Sequence, residues 1–367
     1  MIVMRNRIVL HVDFDYFYAQ CEEIRNPQLK GKPVVVCIFS DRGGDSGAVA
    51  TANYTARKFG VKSGIPISFA KSRLHDNLES VFLPADFDYY SDISSSAMNI
   101  MESFADVFEY VGRDEAYLDV TNRTDVNFEQ AGHIAQQLKN EIQQKLKITC
   151  SVGISPNKLI SKIASDYKKP DGLTIIKPEQ IIIFLKPLKI RVIPGIGKKT
   201  ESVFKDLNCE KIEDVLKFDV FELNKKFGRK NGTYIYNAVR GIHDGQVRPR
   251  APTVQFSKII TLKENSKNLQ FLSDNLKILC EQIHAITMEK QKMFRSIGIQ
   301  FVNEDLSTKT KSKMLKSPTN SAEELEKISI QLLSEALDDQ ELMIRRLGLR
   351  ISELTDVRGQ SDITSYF

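Results

Sequence analysis

Residues 7–13, RIVLHVD, are apolar almost throughout and end on an acid, the pattern of a buried strand. DYFYAQCEEI follows with helical spacing, and Asp15 stands where an N-cap is expected. KPVVVCIF, opened by Pro33, predicts a second buried strand running into DRGGDSG, a turn cluster. AVATANYTARKFG predicts a short strand leading into a helix closed by Gly60, and residues 88–105 have helical spacing. In VFEYVGRDEAYLDV (107–120) two β-rich runs flank Gly112, which predicts a hairpin. A polar helix over 129–146, the strand ITCSVGIS and the helix NKLISKIASDY complete a mixed αβ unit. Two of its strands end on acids that can lie side by side.

From about 177 the pattern changes to short helices with many lysines. GIHDGQVRPRAPT (241–253) has no periodicity and reads as a linker. Residues 254–352 alternate strands (VQFSKIITL, SIGIQFV, IRRLGLRIS) with helices (268–292 and 321–338), which predicts a separate α+β domain. No apolar run approaches the ~18 residues of a membrane span. The opening MIVMRNRIVLHVDFD reaches acids too early for a secretory leader. The expected location is therefore the cytoplasm, or the nucleus of a eukaryote.

Composition sharpens this only in places. With 41% hydrophobic and 27% charged residues, a largely disordered chain is excluded. The 52 basic and 47 acidic residues nearly balance, yet residues 186–250 carry 15 basic against 8 acidic, a net +7. That local excess points to a polyanionic partner. Cys21, Cys37, Cys150, Cys209 and Cys280 are far apart, odd in number and form no CxxC, and the five histidines lack ligand spacing. A disulfide framework and a zinc site are thus not expected, and any metal would be held by oxygens.

Three acids stand out: Asp13 at the end of the first strand, and Asp114 and Glu115 in the hairpin. Phosphoryl and nucleotidyl transfer need divalent metals that clamp the attacking and leaving oxygens. Mg²⁺ takes hard oxygen ligands and keeps several waters, so two or three carboxylates suffice. Neighbours on a regular strand point to opposite faces, so Asp114 and Glu115 share a site only if the backbone kinks beside Gly112.

HVDFDYFYAQCEE, SGAVATANYTARKFGVKSGIPI, RDEAYLD, SVGISPNKLISKIASDYKKPDG and VIPGIGKKT occur in this order. Together they closely resemble the Y-family (translesion) DNA polymerases, especially the archaeal lineage, over roughly residues 7–353. The resemblance implies an α+β multidomain, right-hand fold. Its ferredoxin-like palm would span 1–30 and 87–176, small fingers 31–86, and a helical helix–hairpin–helix thumb 177–241. A linker (242–253), an α+β little finger (254–353) and a flexible tail (354–367) would follow. The implied activity is low-fidelity, template-directed addition of dNTPs to a primer 3′-hydroxyl, past damaged template bases. No room is left for a proofreading exonuclease.

Carried over by position, Asp13, Asp114 and Glu115 would hold two Mg²⁺ ions (Mn²⁺ being a possible substitute), with the Phe14 carbonyl as a further ligand. Tyr18 falls on the steric-gate position, where its ring would clash with a ribose 2′-hydroxyl. Thr51, Tyr54, Arg57 and Lys169 match the triphosphate contacts. Tyr54 and Arg57 are helix neighbours three residues apart, and Arg and Lys offer phosphate oxygens a planar fork and a point charge. Gly47, Ala48 and Ala50 are small where the fingers would roof the nascent base pair. Gly195 and Gly197 of PGIG, with Lys198 and Lys199, would hold duplex backbone without reading sequence.

Two positions depart from the family pattern. Gly112 and Arg113 replace a Ser and an aliphatic residue before Asp-Glu, which puts a charge beside the carboxylates. The linker, with Arg248 and Arg250 among prolines, is less basic than in archaeal relatives. The tail QSDITSYF resembles the peptide that binds the ring-shaped sliding clamp, with Gln360, Ile363, Tyr366 and Phe367 as contacts. The expected partners are primer–template DNA, a dNTP and the clamp, for a monomeric protein. A nucleotidyl cyclase would also place acids on adjacent strands but would need neither PGIG nor a clamp peptide. An inactive DNA-binding scaffold would not need the acids.

Overall fold

A computed structural model describes residues 7–338 and 340–357. The described chain divides into two compact units. One runs to Ile38 and over Ala48–Ala251; the other takes Phe39–Gly47 and the chain from Pro252.

In the first unit the elements are β1 (Val9–Phe14), α1 (Phe17–Arg25), β2 (Val34–Phe39), β3 (Gly47–Ala52), α2 (Tyr54–Arg57), α3 (Ile67–Arg73), β4 (Val81–Pro84), α4 (Phe87–Ser103), β5 (Val107–Tyr110), β6 (Glu115–Asp119), α5 (Phe128–Leu146), β7 (Cys150–Ser155), α6 (Lys158–Tyr167) and β8 (Leu173–Ile175). Five strands form one sheet in the order β5-β6-β1-β7-β8, parallel only between β7 and β8. Side chains alternate along β1 as a strand requires. Leu10, Val12 and Phe14 enter a core shared with α1, α4 and α5. Val9, His11 and Asp13 take the opposite face. There α6 lies so close that a Cβ on Gly153 would fall 2.0 Å from the Ser161 carbonyl oxygen, so only glycine fits.

The second sheet, β3-β2-β4, has its own small core. Val34 and Val36 face the main core, while Val35 and Cys37 face α2 and α3. The short helices α7 (Ile181–Leu185), α8 (Lys198–Asp206), α9 (Ile212–Val215), α10 (Val220–Phe227) and α11 (Arg229–Ala238) pack around Phe204, Leu223 and Ile235, a core continuous with α6.

Residues 242–251 form no helix or strand, but they are not a free tether. Val247 is buried against Val9 and Tyr117, the Arg248 N–H donates to Glu109 Oε2 at 2.9 Å, and the Arg250 guanidinium lies 4.6 Å from the Tyr110 ring centre.

In the second unit β9 (Gln255–Ser266), α12 (Leu269–Glu289), β10 (Lys292–Asn303), β11 (Thr308–Thr319), α13 (Ala322–Leu337), β12 (Ile344–Ser352) and β13 (Thr355–Asp356) follow. The sheet order is β11-β10-β12-β9, with α12 and α13 over one face. Ile297, Ile299, Phe301, Leu347, Leu349 and Ile351 fill the covered side. The hydrophobic pattern missed β11, TKTKSKMLKSPT, because it is an edge strand with only Leu315 buried. Lysines on an edge discourage pairing with another chain.

All five cysteines are buried. No helix among the described residues is long and apolar enough to cross a membrane.

Candidate active site

The ladders bring the expected carboxylates together. Asp13 pairs directly with Glu115 across β1 and β6. Asp114 stands just before β6, where its carbonyl accepts the Phe14 N–H at 2.8 Å. Val111 and Gly112 N–H both turn back to the Glu115 carbonyl, which supplies the kink that two adjacent acids need.

A cleft of about 230 Å³ is lined by Asp13, Phe14, Tyr18, Thr51, Tyr54, Arg57, Asp114 and Lys169, together with Tyr16, Phe17, Ala50 and Ser63. Every expected nucleotide contact lies in this lining. The N-terminus of α2 is capped by Asn53, whose Oδ1 accepts the Ala56 N–H. One turn of helix then sets the Arg57 guanidinium 4.8 Å from the Tyr54 ring centre. The Tyr54 hydroxyl is buried with no hydrogen-bond partner among the described residues. Lys169 donates to Asp13 Oδ1 at 2.7 Å and pairs with Asp166 at 2.8 Å.

The electrostatics of the three acids diverge. Burial pushes the Asp13 carboxyl up to about 6, against the attraction of Lys169. Burial, and then the Glu115 charge, raise Asp114. Glu115 is held down at about 2, chiefly by its hydrogen bond with His11 and further by Lys162. Two buried acids whose charge is disfavoured, beside a third that is held ionised, suit a hard divalent cation.

Sequence reasoning missed the group behind Glu115. His11 is fully buried, and burial depresses its basicity, so the ring is neutral. A carboxylate only accepts, so His11 Nε2–H donates to Glu115 Oε2 at 3.0 Å, while Nδ1 lies 2.7 Å from Ser165 Oγ, which also bonds the Lys162 carbonyl at 2.8 Å. Lys162 also bonds Glu115 Oε2. His11, Asp13 and Glu115 bring potential ligand atoms within 4.8 Å of one another. The signal was available, since His11 is two residues from Asp13 and so shares its face of the strand.

Two expectations are corrected or resolved here. Asp15 is not the cap of α1: Tyr16, in the left-handed region (φ 37°, ψ 43°), takes that place. The strand runs one residue further than the capping pattern assumes, which turns the buried Asp15 carboxylate toward β7. There it accepts from Thr149 Oγ1 (2.9 Å), Ser151 Oγ (2.8 Å) and the Asp171 N–H (2.8 Å). Arg113 does not meet the carboxylates. Its Nε donates to Ser91 Oγ at 3.1 Å and its guanidinium lies 5.4 Å from the Phe87 ring centre.

The PGIG segment belongs to a separate element. Gly195 has φ 86°, a left-handed conformation that favours glycine, and Tyr234 Oη donates to the Pro194 carbonyl at 2.6 Å. Gly197 caps α8 without a side chain, and Lys198 and Lys199 are exposed on its first turn. Gln360, Ile363, Tyr366 and Phe367 lie outside the described residues.

Residues 12–166 match the impB/mucB/samB family, 254–364 its C-terminal domain, and 191–243 the DNA polymerase-iota thumb domain. The chain is 65% identical over 364 residues to DNA polymerase IV of Nitrosopumilus maritimus, covering 99% of this chain and 100% of that one. The chain belongs to the Y-family DNA polymerases. It is a DNA-directed DNA polymerase of the translesion type, and the family carries a divalent-metal requirement. DNA polymerase IV of Saccharolobus solfataricus is 39% identical over 352 residues, covering 96% of this chain and 98% of its own. Among solved structures, a Y-family DNA polymerase chimera aligns with a TM-score of 0.87 at 36% identity, covering 95% of this chain and 99% of that one. The insertion ternary complex of Dbh DNA polymerase aligns at 0.69, with 36% identity and the same coverage. The near full-length match to polymerases leaves the cyclase and the inactive scaffold without support.

Proposed function

We propose that the cleft beside Asp13 and Asp114 is where a deoxynucleoside triphosphate joins a primer 3′-hydroxyl opposite a DNA template. In this reading Asp13, Asp114 and Glu115, with the Phe14 carbonyl, hold two Mg²⁺ ions, for which Mn²⁺ can substitute. The ions would supply Lewis-acid charge at the attacking and leaving oxygens. The chain's own residues do the rest. Thr51, Tyr54, Arg57 and Lys169 hold and orient the triphosphate. The Tyr18 ring fills the space beneath the sugar and excludes a 2′-hydroxyl. Triphosphate oxygens offer Lys169 new partners, so nucleotide arrival would free Asp13 from its ion pair as metal is needed there.

The observation that carries this reading is the single cleft that holds two carboxylates and all five expected nucleotide contacts. Gly195, Gly197, Lys198 and Lys199 would grip duplex backbone, and residues 360–367 would dock on a sliding clamp. The protein would act as a monomer in the cytoplasm.

Primer extension with Mg²⁺ titrated tests the assignment. Asp13→Ala or Glu115→Ala is expected to abolish incorporation while primer–template binding, read by fluorescence anisotropy, persists. Incorporation that survives either change overturns the metal assignment.

A further inference from the structure

The Tyr18 ring stands against a wall of aromatic side chains. Tyr90 stacks on it with ring centres 4.6 Å apart and planes at 16°. Phe87 meets it edge-on at 5.8 Å and 83°, and Phe17 lies at 5.5 Å. No hydrogen bond to another described residue fixes the Tyr18 hydroxyl, so ring contacts set its position.

The wall itself is anchored. Tyr90 is fully buried, and its hydroxyl donates to Glu22 Oε1 on α1 at 2.6 Å. Arg25 clasps Glu22 through both carboxylate oxygens, at 2.6 and 2.8 Å, and reaches Asp86 at 2.7 Å. Asp86 in turn caps α4 at the Tyr89 N–H. Tyr90 is thereby held at its backbone by α4 and at its hydroxyl by α1. The Arg113 guanidinium, itself tied to Ser91, lies 5.4 Å from the Phe87 ring centre.

A ring that must reject one extra oxygen fails if it can tilt away, so selection depends on the stiffness of what stands behind it. We infer that Tyr90 and Phe87 are positioning residues that stiffen Tyr18 and so set how strictly the enzyme selects deoxyribose over ribose. The unusual Arg113 then serves this wall. The inference rests on Tyr18 being the sugar gate, and the test separates the two.

The measurement is the ratio of kcat/KM for dNTP over rNTP insertion, with Mg²⁺ and a primer–template. Tyr18→Ala tests the gate alone. Tyr90→Leu removes the stacked ring, Phe87→Ala the edge contact, and Tyr90→Phe keeps the stacked ring but loses its tie to Glu22. Tyr90→Leu and Phe87→Ala are each expected to lower the ratio about three- to tenfold, the size of one aromatic pair contact, through faster rNTP insertion. Tyr90→Phe is expected to lower the ratio less than Tyr90→Leu, because the ring stays while its tie to Glu22 is lost. Phe87 is only half-buried, so Phe87→Ala decides alone where Tyr90→Leu does not fold. If Tyr18→Ala relaxes sugar choice while Tyr90→Leu and Phe87→Ala leave the ratio intact, the bracing role is overturned. If Tyr18→Ala leaves the ratio intact, the gate reading falls and takes the inference with it.

Discussion

Asp13 and Glu115 face each other across the β1–β6 ladder, yet their carboxyls are driven in opposite directions, Asp13 up to about 6 and Glu115 down to about 2. Burial dominates at Asp13, whereas His11 and Lys162 dominate at Glu115. One carboxylate is thus ready to bind a cation, and the other costs the metal-free fold stability until a cation arrives.

This gives a pH dependence with a definite sign. Asp13 has a folded value of about 6 against an ordinary 3.8. Between those values the folded protein keeps a proton that the unfolded chain releases, so this group's contribution falls as pH rises through that window. Glu115 runs the other way: its contribution is full above 4.5 and is lost as pH falls toward 2. In EDTA, Asp13→Asn should raise Tm by about 2–4 °C at pH 7, with little effect at pH 4. Lys169 keeps Asp166 as its partner in that variant. Thermal unfolding at both pH values checks it, and added Mg²⁺ should stabilise the wild type more than Asp13→Asn.

His11 and Arg113 should separate cleanly. The His11 hydrogen bond holds Glu115 in place, so His11→Phe should weaken Mn²⁺ binding about tenfold, the lower end for groups that orient ligands. His11→Gln can still donate to Glu115 and should recover most of that loss. Arg113→Ala should leave metal affinity within about twofold, because Arg113 points to Ser91 and Phe87. Electron paramagnetic resonance titration of Mn²⁺ into the enzyme on a dideoxy-terminated primer reads all three.

Lys198 and Lys199 should show themselves in salt dependence. If each neutralises one phosphate, the double alanine variant should lower the slope of log K against log salt by about 1.8. Anisotropy titrations of primer–template from low to moderate salt measure it, and the loss should be similar for different DNA sequences.

Removal of residues 360–367 should abolish stimulation by a sliding clamp while unstimulated primer extension continues. Extension assays with and without the clamp distinguish this from a general loss of activity.

Much of the site was legible because its chemistry is local. Asp13 at a strand end and the Asp114–Glu115 pair beside Gly112 stand out from the pattern itself, whereas Tyr18, Thr51, Tyr54, Arg57 and Lys169 enter only through the family resemblance. The residues that were missed act through tertiary contact. Ser165 and Lys162 lie on α6 and reach His11 and Glu115, respectively, only because Gly153 lets that helix settle on β7. Tyr90 looks like any core aromatic until α4 crosses α1. Asp15 carries a capping signature, but its carboxylate is taken by Thr149 just before β7, Ser151 on β7 and the Asp171 N–H beyond α6. In the second unit β11 escaped because an edge strand has little apolar periodicity to show.

The five buried cysteines have a practical consequence. Burial pushes the thiols of Cys21 and Cys150 up to about 12 and that of Cys280 to about 11, so little reactive thiolate exists at neutral pH. A maleimide dye should therefore ignore the native thiols and label one new surface cysteine, such as Leu78→Cys at a position 98% exposed. The natural background is thus already suited to single-site fluorescence, and nucleotide arrival could be timed without first stripping out any cysteine.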